Sequence, residues 1–280
     1  MAEIVNSAIS FKVIPFLIPL LFYFLGATSN LNDIKQLLTE KKSFVYGLIL
    51  QIIFLPFIGI LSSKVFYNSI FVIPALLVMI VPGGHVSGLL THIKKGNVSL
   101  SVALTSSASL LSPVTIVLWL NVAALDNKNL TINFLETFIQ LVVLVLLPFT
   151  IGIYTVIKKP KFAKKSTSKL DNFLRISVLI LSFTGPFEIR EIMIDNFFEG
   201  AKIAVFSLSL IVFINYFLSR IFNIKKIDAE TITIEGLCQN FPIIIVLGLT
   251  FNMPEVIVYG LIYYLVSMIF AVSYTFTKNI

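Results

Sequence analysis

Charge is what this chain has least of. Only 12% of its 280 residues are Asp, Glu, Lys or Arg, while 57% are hydrophobic and the mean hydropathy is +0.97. A soluble domain of this length cannot cover its surface with so few charges, so a soluble globular protein is excluded. A single cysteine, Cys238, rules out an intrachain disulfide. The two histidines, His85 and His92, have no cysteine or carboxylate near them in their segment, which argues against a zinc centre. No G-x-S-x-G, H-E-x-x-H or Walker loop is present, and nothing else supports an enzyme. Rings of charged pore positions, which a channel would call for, are absent as well.

The hydrophobic residues are gathered into runs close to the roughly 20 residues that cross a bilayer core. Nine crossings are expected, at about 9–25, 44–61, 70–93, 98–120, 134–156, 173–187, 203–221, 229–250 and 256–276. The first run has no small-residue cleavage pattern and reads as a span rather than a leader. No long polar linker interrupts the series, so residues 1–280 read as one all-α polytopic membrane domain.

The net charge of +7 would suggest nucleic acid in a soluble protein, but here the basic residues occupy short loops and no such partner is expected. With nine crossings, Lys12, Lys64, Lys128, Arg190 and Lys202 lie on one side and the other sixteen of the 21 Lys and Arg lie on the other. The richer side is cytoplasmic by the positive-inside rule, which puts the N-terminus outside and the C-terminus inside. The abundance of Ile, Lys, Asn and Phe fits a prokaryotic cytoplasmic membrane. Asn129-Leu130-Thr131 is a glycosylation sequon that would matter only in a eukaryote.

Two crossings are interrupted. The third carries Val81-Pro82-Gly83-Gly84-His85 near its middle, where a missing amide donor and two glycines oppose a continuous helix. The eighth carries Glu235-Gly236-Leu237-Cys238-Gln239-Asn240-Phe241-Pro242, a polar stretch closed by proline. Irregular backbone at membrane depth survives only where protein or a water-filled cavity satisfies it, and two such breaks point to a binding site. The broken spans are five apart, so they run in opposite directions. That order fits two inverted repeats, about 9–120 and 132–277, with the first helix of the first repeat missing.

Glu235 is the most informative residue. A carboxylate deep in an apolar crossing costs about 2.5–3.5 kcal/mol unless it is paired or faces a cavity. The bland reading is a protonated, hydrogen-bonded Glu, but its place at a break beside Gln239 and Asn240 favours a cation ligand. Oxygen donors suit Na⁺ better than a soft metal. Ser101 and Thr105, four residues apart, share a helix face; alone they read as close-packing residues, and beside the breaks packing and an ion-ligand role are both open. Gln51, with Pro56 after it, reads by itself as interhelical glue. His85 opens a half-helix, where an anionic ligand and a cavity-lining structural role are both open. Cys238 reads as a small filler with a carbonyl exposed by the break.

Several segments together resemble the bile acid:sodium symporter family. Pro82-Gly83-Gly84-His85-Val86-Ser87, Thr91, Lys95-Gly96-Asn97-Val98-Ser99-Leu100-Ser101-Val102-Ala103-Leu104-Thr105 and Ser112-Pro113 are similar to its P-G-G-T-x-S-N-x-x-T-x-x-x-x-G-[DN]-x-x-L-S-V-x-x-T pattern. Glu235 to Asn240 resembles its E-x-G-x-Q-N motif, and Leu25-Gly26-Ala27-Thr28-Ser29-Asn30-Leu31 and Gln51-Ile52-Ile53-Phe54-Leu55-Pro56 are weaker landmarks. The resemblance implies core and panel domains and symport of a small or bile-acid-like organic anion with one or two Na⁺. It implies a first Na⁺ site of Ser87, Ser101, Thr105 and Glu235. A second would use Gln51, Glu235, Gln239 and the backbone oxygens of Gly236 and Cys238, and His85 and Asn240 would meet the substrate. Three positions depart from the pattern: Gly88 replaces an Asn, His85 replaces a Thr, and Gly236 comes one place early. The alternative kept beside this reading is a proton-coupled or uncoupled organic-anion transporter of the same fold, with Glu235 titrating.

Overall fold

A computed structural model describes residues 5, 7–28, 41–84, 86–126 and 133–277. Their structure is helical throughout, and no strand occurs among them. In chain order the helices are α1 (Ile9–Thr28), α2 (Lys41–Val65), α3 (Val72–Ile80), α4 (Val86–Ile93), α5 (Val98–Asp126) and α6 (Phe134–Lys158). There follow α7 (Pro160–Glu188), α8 (Arg190–Ile221), α9 (Lys226–Leu237), α10 (Phe241–Thr250) and α11 (Pro254–Phe276). Six segments are long and apolar enough to cross a membrane: α1, α2, Val98–Val122 of α5, α6, α8 and α11.

The surface of this bundle is the reverse of a soluble one. Phe16, Phe183 and Phe198 stand outward, each more than 70% exposed, while Glu235, Asp228, Ser87 and Ser101 are sealed inside. Water cannot stabilise that distribution and lipid can, so the chain is a multi-pass membrane protein.

The expected interruptions are present, with sharper limits. α3 stops at Ile80 and Val81 turns extended (φ −78°, ψ 144°) before α4 begins at Val86. α9 stops at Leu237, with Cys238 and Asn240 out of helical geometry before α10. Glu235 and Gly236 therefore belong to the last turn of α9 and flank the break rather than form it. α7 departs from expectation too. It begins at Pro160 within a basic stretch, well before the expected 173, and ends at Glu188, one residue past the expected 187.

Two long helices each contain a π-helical turn, Leu50–Phe54 in α2 and Val142–Leu146 in α6, followed at once by Leu55-Pro56 and Leu147-Pro148. Proline has no N–H for the carbonyl four residues back, and widening the turn absorbs the clash. In α2 the carbonyl so released is that of Ile52, and Trp119 Nε1 of α5 donates to it at 2.7 Å.

α1 packs chiefly on α6 and α7, while α2, α3, α5 and α8–α11 pack on one another. The α1–α6 contact is made backbone to backbone. A Cβ added to Gly152 would sit 2.6 Å from Ala27 N and 2.9 Å from Gly26 C, and one on Gly26 would be 2.9 Å from Phe149 C. Small residues substitute here for the hydrophobic drive that lipid removes. Gly152→Ala is expected to lower stability by about 1–3 kcal/mol, read as a drop in melting temperature in detergent. Gly88→Ala, whose Cβ meets nothing within 4 Å, is expected to lose nothing.

Candidate functional site

The two breaks cross, and each supplies what the other lacks. Gly84 N donates to Cys238 O at 2.6 Å, and Asn240 N donates to Pro82 O at 2.9 Å. Gly83 and Gln239 thus form a single antiparallel bridge, the only sheet-like contact among the described residues. Backbone groups freed by the ends of α3 and α9 are satisfied by one another, deep in a bundle where water would otherwise have to enter. The glycines serve close approach, not backbone handedness, because no described glycine has a positive φ. A Cβ on Gly83 would stand 2.5 Å from Glu235 Oε1, and one on Gly84 2.8 Å from Gln239 O.

Glu235, on the last turn of α9, is fully buried. Ser101 Oγ of α5 donates to its Oε2 at 2.7 Å, and Thr105 Oγ1, one turn on, donates to its Oε1. Ser87 of α4 completes the group: its Oγ lies 3.4 Å from Ser101 Oγ and donates to Gly84 O at 2.8 Å. Ser87, Ser101, Thr105 and Glu235, separated widely in sequence, therefore meet in one buried cluster. Its donors are all oxygens, a set that suits a hard cation. No trio of His, Cys, Asp or Glu able to hold a metal ion occurs among the described residues.

The second expected set gathers against the same crossing. Gln51 comes from the π-helical turn of α2, and its Nε2 would lie 3.3 Å from a Cβ on Gly83, beside Glu235 but outside hydrogen-bond geometry. Both of its side-chain polar atoms are buried without a partner. Gln239 Nε2 donates to Gly236 O at 2.7 Å, leaving Gln239 Oε1 buried and unpaired. Cys238 contributes its carbonyl to the bridge with Gly84, as its exposure by the break suggested. A cavity of about 10 Å³, room for one water-sized species, is lined by Gln51, Ile80, Val81, Pro82 and Trp119.

Asn240 caps α10: its Oδ1 accepts from Ile243 N at 3.4 Å, while its Nδ2 is buried and unpaired. An unpaired amide at a helix N-terminus is a donor suited to an anion. His85, its expected companion, lies outside the described residues.

A second polar knot escaped the sequence reading. Asp228, in the first turn of α9, accepts from Ser43 Oγ of α2 at 2.7 Å and from Asn97 Nδ2 at 2.9 Å. Asn97 in turn caps α5, its Oδ1 accepting from Leu100 N, and its own N donates to Thr231 Oγ1 at 2.9 Å. α5 and α9 are thus pinned together at one end by Asp228–Asn97 and two turns on by Glu235–Ser101/Thr105. The available signal was spacing: Asn97, Ser101 and Thr105 lie four apart, as Thr231 and Glu235 do, with Asp228 seven before Glu235.

The chain has relatives of known description. The model of the Sodium Bile acid symporter family matches residues 14–189. The hepatic sodium/bile acid cotransporter of Rattus norvegicus is 29% identical over 227 residues, 77% of this chain and 61% of that protein. The probable chloroplastic sodium/metabolite cotransporter BASS1 of Arabidopsis thaliana is 28% identical over 232 residues, 80% of this chain and 55% of its own length. The uncharacterized sodium-dependent transporter YocS of Bacillus subtilis (strain 168) is 27% identical over 161 residues, 57% of this chain and 49% of that one. The chain thus matches just over half the length of the first two of these relatives.

The crossing leaves no room for side chains at its centre. Gly84→Ala is expected to separate the two breaks and remove any ion-dependent rise in melting temperature; an unchanged salt response in a folded variant would count against this geometry.

Proposed function

Since this chain belongs to the Sodium Bile acid symporter family, we propose that it carries a small organic anion across the membrane with Na⁺. The observation that carries this reading is Glu235: a fully buried carboxylate, ringed by neutral hydroxyls, at the meeting of two broken helices. The rat relative's name specifies bile acid and the Arabidopsis relative's a metabolite. Organic anion is the chemical class adopted here.

In this reading one Na⁺ is held by Ser87, Ser101, Thr105 and Glu235, and a second by Gln51, Glu235, Gln239 and the backbone oxygens of Gly236 and Cys238. The unpaired oxygens of Gln51 and Gln239 supply a reason for the second ion, since buried acceptors without partners are otherwise costly. At Gly88 the first set lacks a side-chain oxygen. The space beside Gly88 is open, and a water there completes the ion's shell. Na⁺ neutralises Glu235, and the anion then meets the N-terminus of α10 with Asn240 and, beyond the first break, His85.

The same reading takes the six long segments, α7 and the two broken pairs as nine crossings, in inverted repeats over about 9–120 and 132–277. α1, α6 and α7 form a panel, and the remaining helices form the core that contains the crossing. Rocking of core against panel exposes the site alternately to the two sides. Lys and Arg asymmetry places the N-terminus outside and the C-terminus in the cytoplasm.

The test is thermal stability of the purified protein in NaCl against matched KCl. At Na⁺ well above its dissociation constant, wild type is expected to gain about 2–3 kcal/mol over KCl, and Glu235→Gln to gain nothing. In proteoliposomes, taurocholate and pantoate uptake is to be followed under a Na⁺ gradient, and Glu235→Gln is expected to abolish it. Na⁺-independent uptake driven by a pH gradient would replace this reading with one in which Glu235 carries a proton.

A further inference from the structure

α8 and α11 pack on each other, but not evenly. Near Gly200 they touch, and a Cβ added there would stand 3.0 Å from Ile262 Cδ1. Toward their C-terminal ends a groove of about 750 Å³ opens between them, lined by Val212, Phe213 and Phe217 of α8 and by Ile269, Phe270 and Ser273 of α11. Phe213, Phe217 and Ile269 are exposed, so the groove opens onto the outer, lipid-facing surface. Two cations stand at its end. Arg220, on the last turn of α8, holds its guanidinium carbon 4.0 Å from the centroid of the Tyr216 ring. Lys94, just past α4, holds its ammonium 5.6 Å from that of Tyr274. Both rings belong to the groove wall.

An aromatic face holds a cation in place without neutralising it, because the ring carries no net charge. Lys94 also donates to Thr277 O at 2.7 Å and to Tyr274 O at 3.4 Å, closing the end of α11 and leaving one N–H for a ligand. Arg220 is exposed, and no acidic side chain lines the groove. An apolar recess open to the bilayer, with two cations at the level where the apolar spans end, matches a molecule with hydrocarbon chains and an anionic head. We propose that the groove binds an anionic glycerophospholipid, with an acyl chain between α8 and α11 and the phosphate between Arg220 and Lys94. This site is separate from the crossing and does not depend on sodium coupling. Its wall is nevertheless joined to the core. Tyr274 Oη donates to Thr233 Oγ1 at 3.4 Å, and Thr233, two residues before Glu235, also accepts from Asn215 Nδ2 of α8 at 2.6 Å. A lipid seated here braces α8, α9 and α11 together.

The experiment is native mass spectrometry of the full chain in detergent, titrated with dioleoylphosphatidylglycerol or with dioleoylphosphatidylcholine. Wild type is expected to take up a first phosphatidylglycerol in clear preference to phosphatidylcholine. Arg220→Gln is expected to bind that first phosphatidylglycerol about fivefold more weakly, with phosphatidylcholine unchanged. The double variant Lys161→Gln/Lys165→Gln removes two exposed cations of α7 and is expected to keep the wild-type affinity. Ser273→Trp, which fills the groove and leaves both cations, is expected to weaken uptake of the first phosphatidylglycerol as well. Wild type without a preference for phosphatidylglycerol overturns the proposal, as does a folded Arg220→Gln with wild-type affinity. An equal loss in the α7 double variant overturns it too, since the attraction would then belong to the basic surface at large. Should Arg220→Gln fold poorly, Ser273→Trp decides: undiminished uptake of phosphatidylglycerol by that variant overturns the proposal.

Discussion

Everything at the centre of this protein depends on one pair of backbone hydrogen bonds, Gly84 N to Cys238 O and Asn240 N to Pro82 O. A helix that stops in the middle of a membrane protein strands donors and acceptors that lipid cannot satisfy. A single break would need water or side chains. Two breaks running antiparallel satisfy each other, and the chain can then hold irregular backbone, with its exposed carbonyls and half-helix ends, at depth. The glycines at 83 and 84 permit this by letting a carboxylate and a carbonyl approach to where a Cβ would stand.

Around that bridge, the side chains divide into those that are satisfied and those that wait. Glu235, Ser87, Ser101 and Thr105 form a closed hydrogen-bonded set, and the Asp228–Asn97–Ser43 knot fixes the register of α5 against α9 so that the hydroxyls arrive opposite the carboxylate. Gln51, Gln239 and Asn240 each keep a polar atom unpaired. A satisfied frame thus surrounds a few unpaired polar atoms, the oxygens of Gln51 and Gln239 among them, which supports the proposed ion site. In the proposed reading, the rest of the bundle gives this frame a partner to move against. α1 and α6 are locked together through Gly26 and Gly152, so they behave as one body and not as two loosely associated spans.

The sequence by itself determined the membrane class, the positions of the two interruptions and the deep position of the Glu235 carboxylate beside one of them. These are properties of composition and of short stretches of chain: hydropathy, Pro-Gly-Gly, and a lone carboxylate in an apolar run. It also brought Ser101 and Thr105 to one face, because helical period is local. It set the start of α7 too late, because the stretch from Pro160 is basic and polar and hydropathy does not register a helix there.

Only the tertiary structure decided which groups meet. Ser101 and Glu235 are 134 residues apart, Asn97 and Asp228 131, and no local pattern specifies such pairs. The π-helical turn that places Gln51 at the crossing follows from Pro56 together with Trp119, a residue on another helix, so Gln51 read alone as interhelical glue. Local chemistry set which polar residues lie at depth; the pairing of distant helices, forced by backbone groups that must be satisfied away from water, set which of them meet.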